Sequence, residues 1–95
     1  MYKDLDPLLH SQLRLAIVSM LIVSKKVDFT KIQEETNAAA GNISIQIKKL
    51  QEAGYIKVEK TFKNNYPKTM LSITDKGVKA FESYVNDLKK YINPD

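Results

Sequence analysis

The stretch GNISIQIKKLQEAGYIKVEK, residues 41–60, decides how the rest of the chain is interpreted. Its first half places Ile43, Ile47 and Leu50 at i, i+4 and i+7, a spacing typical of the buried face of a helix. Gly54 then ends the helix, and apolar residues begin to alternate with polar ones without any linker. The stretch therefore predicts a helix followed directly by a strand, with amides and lysines on the exposed side of the helix.

A second short helix precedes this stretch. The segment TKIQEETN, residues 30–37, places Thr30 three residues before Gln33, which is the spacing of a capping box. The connection AAAG follows, and its Gly41 can adopt a backbone conformation that other residues resist. Two short helices, over about 30–37 and 41–53, joined by about four residues are typical of a helix-turn-helix.

A β-hairpin is predicted behind this pair of helices, over about residues 55–73. The segments YIKVEKTF and TMLSI are strand-like, because apolar and β-branched residues alternate with polar ones. The intervening KNNYPK contains Asn64, Asn65 and Pro67, which favour turns. The hairpin is therefore expected to follow the helix-turn-helix without a spacer.

The first helix is predicted over about residues 8–24, since Pro7 suits a first helical turn, where its missing N–H costs nothing. Its segment LRLAIVSMLIV is apolar nearly all round, so both of its faces should be covered. A chain of 95 residues cannot easily cover both faces by itself. A second copy of the chain is therefore expected.

The last helix is predicted over about residues 75–93, with Thr74 or Asp75 as its N-cap and Pro94 at its end. Its apolar residues recur at spacings of three and four and form a wide stripe, which predicts a symmetric homodimer. The alternative is a helix that only covers its own core. The residues expected at the dimer interface are Leu9, Leu13, Met20, Phe81, Tyr84, Val85, Leu88, Tyr91 and Ile92.

The excess positive charge lies in one part of the chain. Residues 42–69 contain six lysines and two acidic residues, whereas the remainder contains nine basic and nine acidic residues. The whole net charge of +4 therefore falls in less than a third of the sequence. A concentrated basic segment on a folded domain is expected for a polyanion partner. The alternative is a solvated face that is merely rich in lysine.

Composition excludes several classes of function. Without cysteine, the chain has no disulfides, thiolate metal sites or cysteine nucleophiles. It also lacks a histidine pair and a phosphate-binding glycine loop, so we expect neither enzyme activity nor a cofactor. The N-terminus lacks a secretion signal, and the longest apolar run, AIVSMLIV, is too short to cross a bilayer. We therefore expect a cytoplasmic protein.

The order of three helices, a hairpin and a last helix predicts a single winged helix-turn-helix domain over residues 1–95, an α+β fold that is mostly helical. The segments LDPLLHSQLRLAI, DFTKIQEETN, GNISIQIKKLQEAGYIKVEK and SITDKGVKAFESY resemble the small winged-helix transcriptional regulators of the ArsR and MarR type. The resemblance covers roughly residues 5–92. It implies a prokaryotic regulator whose third helix enters the DNA major groove, whose wing reaches the backbone or minor groove, and whose outer helices form a dimer.

Metal sensing is not expected, although some ArsR-type regulators sense metals. Those members use cysteine or histidine ligands, and this chain has only His10. One histidine cannot form a metal site within one chain. We expect His10 to be an ordinary polar residue near the start of a helix.

The exposed side of the third helix provides the residues expected to read base edges. Asparagine can pair with adenine, lysine can donate to guanine or phosphate, and Ile45 can pack on a thymine methyl group. The alternative for Ile45 is that it packs under the wing or against the second helix. The recognition-helix residues expected to bind DNA are Gly41, Asn42, Ser44, Ile45, Lys48 and Lys49.

The wing provides a second set of residues expected to bind DNA: Lys60, Lys63, Asn64, Asn65, Tyr66 and Lys68. Lysines at a hairpin tip can follow phosphate oxygens without base-specific geometry. The two asparagines have the alternative role of forming the turn, and the tyrosine that of filling the hairpin.

The leading interpretation is a regulator that binds a pseudo-palindromic site in double-stranded DNA as a homodimer. An alternative is a winged helix that contacts proteins and docks an acidic partner through the basic segment. RNA binding is a weaker alternative, because no aromatic-rich sheet is predicted that could stack single-stranded bases.

Overall fold

A computed structural model describes residues 2–93 of the chain. The elements are α1 (Gln12–Ser24), β1 (Lys26–Asp28), α2 (Phe29–Thr36), α3 (Ala40–Glu52), β2 (Ile56–Lys63), β3 (Tyr66–Ile73) and α4 (Asp75–Ile92). The predicted fold class is confirmed: the chain is a mostly helical α+β winged helix. Pro94, which was expected to end the last helix, lies outside the described residues.

The strand β1 was not predicted. It forms the edge of an antiparallel three-stranded sheet with the order β1-β3-β2, in which Val27 pairs with Leu71 of β3. It falls in the segment SKKVDF, residues 24–29, between the first two predicted helices. Three residues are too few for a recognisable alternation, and their pairing partner lies more than 40 residues away.

The first helix begins four residues later than predicted, at Gln12. The preceding residues form turns, in which a carboxylate oxygen of Asp6 accepts the backbone N–H of Leu8 at 2.9 Å. This turn places Leu9 in the core, with no exposed surface. The expectation that Leu9 contributes to a dimer interface is therefore wrong, because its side chain is already covered within its own chain.

The second helix is capped differently from the prediction. Asp28, not Thr30, is its N-cap, and the Asp28 side chain accepts the backbone N–H of Lys31 at 2.7 Å. At the other end, Asn37 adopts the left-handed conformation with φ of 55°. Gly41 lies inside the first turn of α3 and has no positive φ, so the helix-turn-helix turn depends on Asn37.

The core lies where α1, α2 and α3 meet the inner face of the sheet. Its fully or nearly fully buried apolar side chains are Leu9, Ile17, Val18, Leu21, Val27, Ile32, Ile43, Ile47, Leu50, Ile56, Leu71 and Tyr84. The three α3 residues that were predicted to be buried are among them. Burial of these three side chains determines which face of α3 remains exposed.

The last helix begins where the chain passes very close to the end of α3. Thr74 is the N-cap, as one of the two predicted possibilities, and its hydroxyl accepts the N–H of Gly77 at 3.0 Å. A Cβ atom at Gly77 would lie 2.2 Å from the carbonyl oxygen of Tyr55. Only glycine allows α4 to approach the start of the wing this closely.

The N-terminal segment is held against the domain by two tyrosines. The Tyr55 hydroxyl donates to a carboxylate oxygen of Asp6 at 2.6 Å, and the Tyr91 hydroxyl donates to the carbonyl oxygen of Lys3 at 2.6 Å. Partial burial, together with the hydrogen bond to the Asp6 carboxylate, raises the pKa of Tyr55 to about 12. These contacts connect the segment before α1 to both ends of the wing–α4 unit.

Candidate nucleic-acid interface

The exposed face of α3 has the composition that the sequence predicted. Gly41, Asn42, Ser44, Ile45, Lys48 and Lys49 are all exposed. Ile45 keeps 56% of its surface exposed, so the alternative in which it packs under the wing or against α2 is wrong. The face therefore combines an amide, a hydroxyl, two ammonium groups and an uncovered aliphatic side chain.

Side-chain hydrogen bonds link this face to α1. Gln46, which is half-buried, donates from Nε2 to Oδ1 of Asn42 at 2.9 Å. Its other amide atom, Oε1, accepts from a terminal guanidinium nitrogen of Arg14. The Nε of Arg14 donates to the carbonyl oxygen of Leu8 at 2.6 Å. Neither Gln46 nor Arg14 was among the residues that the sequence predicted to bind DNA.

The tip of the wing is a two-residue turn. Asn64 and Asn65 both have positive φ, 52° and 67°, and connect Lys63 to its cross-strand partner Tyr66. Two consecutive positive φ angles define the type I′ geometry that fits the twist of a hairpin and favours asparagine or glycine. The turn-forming role is therefore sufficient to explain both asparagines.

Alternation along the wing separates two faces. Lys60 and Phe62 lie on the same face of β2 as the core residues Ile56 and Val58, but beyond the body of the domain. Lys63 lies on the opposite face with Tyr66. Each face of the projecting wing therefore has one aromatic side chain and at least one lysine, with Lys68 on the same face as Lys63.

Phe62 is a further residue of this surface that was not predicted from the sequence. Its side chain is 75% exposed, and Tyr66 on the opposite face of the wing is 76% exposed. The signal was present in the alternation, because Phe62 continues the inward row of β2 past the point where the helices can cover it. The wing tip is thus apolar as well as basic.

The position of Lys68 differs from the prediction. Its ammonium group lies 3.1 Å from a carboxylate oxygen of Asp28, and both side chains are half-buried. Lys31 and Lys68 are the lysines with a carboxylate partner within residues 2–93. Lys68 is therefore engaged within the domain, unlike the wing lysines Lys60 and Lys63.

The residues expected at a dimer interface are not all available. Tyr84 is only 4% exposed, and its hydroxyl lies 3.0 Å from Nδ1 of His10. Tyr84 therefore covers its own core, and we correct its assignment to the interface, as for Leu9. Phe81, Val85, Leu88, Tyr91 and Ile92 of α4 are half-buried or exposed.

Two further residues expected at the interface lie on another side of the domain. Leu13 lines a depression of about 340 Å³ with Thr36 and Ala38 at the end of α2. Met20 lines a neighbouring depression of about 330 Å³ beside the helix α2. The α1 residues that line a depression together with α4 are Leu21 and Ile22, beside Asp75 and Val78. The structure thus does not bring Leu13 and Met20 together with the α4 stripe.

Two further features are absent from the described residues. Within residues 2–93, no three side chains of histidine, cysteine, aspartate or glutamate come together as metal ligands. None of the helices in the described part of the chain is long and apolar enough to cross a membrane.

Comparison with known proteins identifies the class of this fold. A family model described as a winged helix DNA-binding domain matches residues 13–92, and the chain belongs to this family. The fold of this family is that of transcriptional regulators, and the family is not an enzyme class. The expected resemblance to the small winged-helix transcriptional regulators of the ArsR and MarR type is confirmed.

Individual relatives agree with this assignment. An uncharacterized protein of Methanocaldococcus jannaschii is 30% identical over 79 residues, which are 83% of this chain and 86% of the relative. The structure of a transcriptional regulator homologue from Pyrococcus horikoshii matches with a TM-score of 0.85 and 29% identity, covering 92% of this chain and 86% of the other.

More distant structures share the fold. PadR from Bacillus subtilis, solved in complex with operator DNA, matches with a TM-score of 0.70 and 21% identity, over 79% of this chain and 48% of PadR. MarR matches with a TM-score of 0.78 and 15% identity, over 90% of this chain and 62% of MarR.

Proposed function

We propose that this chain is a sequence-specific regulator that binds double-stranded DNA as a homodimer. The observation that carries the proposal is the distribution of charge. Lys48 and Lys49 on α3, and Lys60 and Lys63 on the wing, are exposed and have no carboxylate partner within residues 2–93. Lysines that are not neutralised by the protein are suited to phosphate oxygens.

In this proposal α3 lies in the major groove with its N-terminal half toward the bases. Asn42 and Lys49 contact base edges or nearby phosphates, and the exposed side chain of Ile45 packs on a thymine methyl group. Gly41 allows α3 to approach the DNA closely, because it has no side chain at this exposed position. The fold itself does not require glycine there, since a Cβ atom would meet nothing within 4 Å. A side chain at that position would instead point toward the DNA.

The wing lies over the DNA backbone or in the minor groove. Lys60 and Lys63 provide charge on opposite faces of the tip. Phe62 provides an apolar side chain of the kind that packs on sugars or wedges against base steps in minor-groove complexes. The PadR complex with operator DNA, which has the same fold, supports DNA as the partner.

Dimerisation is proposed through the outer side of α4. Ile92 is 76% exposed, and Val85 and Phe81 line a shallow depression of about 180 Å³ on the same side of the helix. A two-fold pair of chains would present two α3 helices to successive major grooves, which a pseudo-palindromic site requires. The interface would cover apolar surface that the single chain leaves uncovered.

The alternative is a winged helix that docks an acidic protein through the same lysines. Selection from a random duplex library distinguishes the two functions. The proposal expects enrichment of an inverted repeat with two half-sites about one helical turn apart. Failure of the wild-type chain to retain any duplex at low salt would overturn it and favour the protein-docking alternative.

A further inference from the structure

Three side chains form a directed chain of hydrogen bonds that ends at Asn42. Arg14 of α1 donates to Gln46 of α3, and Gln46 donates to Asn42 one helical turn earlier at 2.9 Å. Arg14 itself is held from the other side, because its Nε donates to the carbonyl oxygen of Leu8 at 2.6 Å. A contact outside the recognition helix therefore extends to the residue at its exposed N-terminal end.

Because arginine can only donate hydrogen bonds, it determines which atom donates and which accepts in both the Arg14–Gln46 and the Gln46–Asn42 hydrogen bond. A guanidinium group has five N–H donors and no acceptor, so the Gln46 atom that it contacts must be the carbonyl oxygen Oε1. The Gln46 amide nitrogen then faces Asn42 and can only donate. The Asn42 atom that receives this bond must therefore be its carbonyl oxygen, Oδ1. Neither carboxamide can be reversed without placing two donors or two acceptors against each other.

We propose that Arg14 and Gln46 are positioning residues that make Asn42 read a hydrogen-bond acceptor on a base. With Oδ1 held by Gln46, Asn42 presents its NH₂ group outward from an exposed position on α3. In the major groove the acceptors are N7 and O6 of guanine, N7 of adenine and O4 of thymine. This inference rests on the proposed DNA-binding function and identifies the kind of base edge that one residue prefers.

The inference changes the expectation for Asn42 drawn from sequence. A free asparagine pairs with adenine through both amide atoms, by accepting from N6 and donating to N7. Here Oδ1 already accepts from Gln46, so only its second lone pair is left for adenine N6, whereas the NH₂ group has no partner in this chain of hydrogen bonds and is free to donate to a base. Guanine, with two adjacent acceptors, and thymine, with O4, are the expected partners at the contacted position.

Replacing Gln46 by glutamate tests the donor-to-acceptor direction of these hydrogen bonds. A glutamate carboxylate still accepts from Arg14, but it cannot donate to Asn42. The Asn42 amide then has to turn so that its NH₂ faces the introduced carboxylate, which exposes Oδ1 to the DNA. The Gln46→Glu variant is expected to shift the preference at this position from guanine or thymine to bases that offer a donor, adenine or cytosine.

The experiment begins with duplex-library selection using the full chain and the Asn42→Ala variant. The base pair at which Asn42→Ala no longer prefers any base is the position that Asn42 contacts. Affinities are then measured on duplexes that differ only at that base pair. One hydrogen bond to a base edge should change the relative affinity by roughly three- to tenfold. Gln51→Glu is the matched control, since Gln51 is exposed on the same helix and its replacement adds the same charge. The control should lower affinity generally and leave the base preference unchanged.

Several outcomes overturn the inference while leaving the proposed function intact. The first is an unchanged base preference in Gln46→Glu. The second is a wild-type preference for cytosine, or for adenine paired through two bonds, at that position. The third is an Asn42→Ala variant that keeps its base preference at every position of the site. Absence of enrichment with the wild-type chain would instead remove the proposed function itself. Arg14→Lys, which keeps a donor toward Gln46, should retain the wild-type preference, whereas Arg14→Met should weaken it.

Discussion

The ammonium group of Lys68 lies 3.1 Å from the carboxylate of Asp28, on the face of the sheet that points away from the core. The same carboxylate caps α2 by accepting the backbone N–H of Lys31. One side chain thus connects the edge strand β1, the wing strand β3 and the start of α2. The backbone hydrogen bond, followed by the contacts with Lys68, lowers the pKa of Asp28 below its ordinary value of 3.8.

The engagement of Lys68 distinguishes it from Lys63 in DNA binding. Lys63→Ala should reduce the slope of log affinity against log salt by about 0.9, because one phosphate contact and its released counterion are lost. Lys68→Ala should leave that slope unchanged and reduce the free energy of unfolding by about 1 kcal/mol or less. Fluorescence anisotropy over a salt series measures both slopes. Equal slopes for wild type and Lys63→Ala would mean that the wing does not contact phosphate.

Phe62→Ala should weaken DNA binding without changing the salt slope, because the side chain carries no charge. Its free energy of unfolding should stay within about 0.5 kcal/mol of wild type, since the residue is exposed. Val23→Ala is a matched control: Val23 is 83% exposed on α1, away from the wing. An affinity loss of the same size in both variants would exclude a specific role for Phe62.

Asp28→Asn should make the protein less sensitive to acid. Asparagine keeps the capping oxygen, but it loses the charge that interacts with Lys68. Because the folded-state pKa of Asp28 is lowered, its stabilisation is complete above the unfolded value of 3.8 and is lost as the pH falls through the folded pKa. Urea unfolding at neutral pH should give a lower free energy of unfolding for Asp28→Asn than for the wild type. This difference should disappear at acidic pH. A deficit independent of pH would contradict the lowered pKa.

Gly77→Ala should destabilise the fold strongly. The added methyl group would lie 2.2 Å from the Tyr55 carbonyl oxygen and 2.8 Å from Cγ1 of Ile73, so α4 has to move. We expect a loss of about 1–3 kcal/mol or more in the free energy of unfolding. Gly41→Ala is the control: its methyl group meets nothing within 4 Å, and alanine favours a helix by up to about 1 kcal/mol. Similar unfolding midpoints for the two variants would contradict this account.

Ile92→Glu should separate the proposed dimer. Leu88 is a poorer target, because it packs partly against the core of its own chain, whereas Ile92 is 76% exposed. A glutamate near the two-fold axis would place like charges together in an apolar contact, so we expect a folded monomer with weaker affinity for an inverted repeat. Light scattering measures the mass of the wild type and the variant.

Val23→Glu is the control for this experiment, since it adds the same charge to an exposed apolar position on α1. It should leave the mass unchanged. A wild-type mass near 10.8 kDa, the value for one chain, would remove the dimer from the proposal.

The sequence by itself determined the features that depend on neighbouring residues. The spacing of Ile43, Ile47 and Leu50 specified both the helix α3 and its exposed face, because a helix places residues four apart on one side. The hairpin followed from turn residues between two alternating segments, and Thr74 from its preference for an N-cap. Each of these signals acts over a few residues and can be read along the chain.

Only the tertiary structure decided which side chains remain available for a partner. Lys68 and Asp28 are 40 positions apart in the sequence, and their ion pair exists because β1 joins the edge of β3. Leu9 and Tyr84 are apolar or aromatic like their neighbours, but a turn before α1 and the approach of α4 bury them. Arg14 is likewise connected to Asn42 through Gln46 only because α1 packs against α3. Contacts between distant segments depend on how whole elements pack, and local periodicity carries no information about that packing.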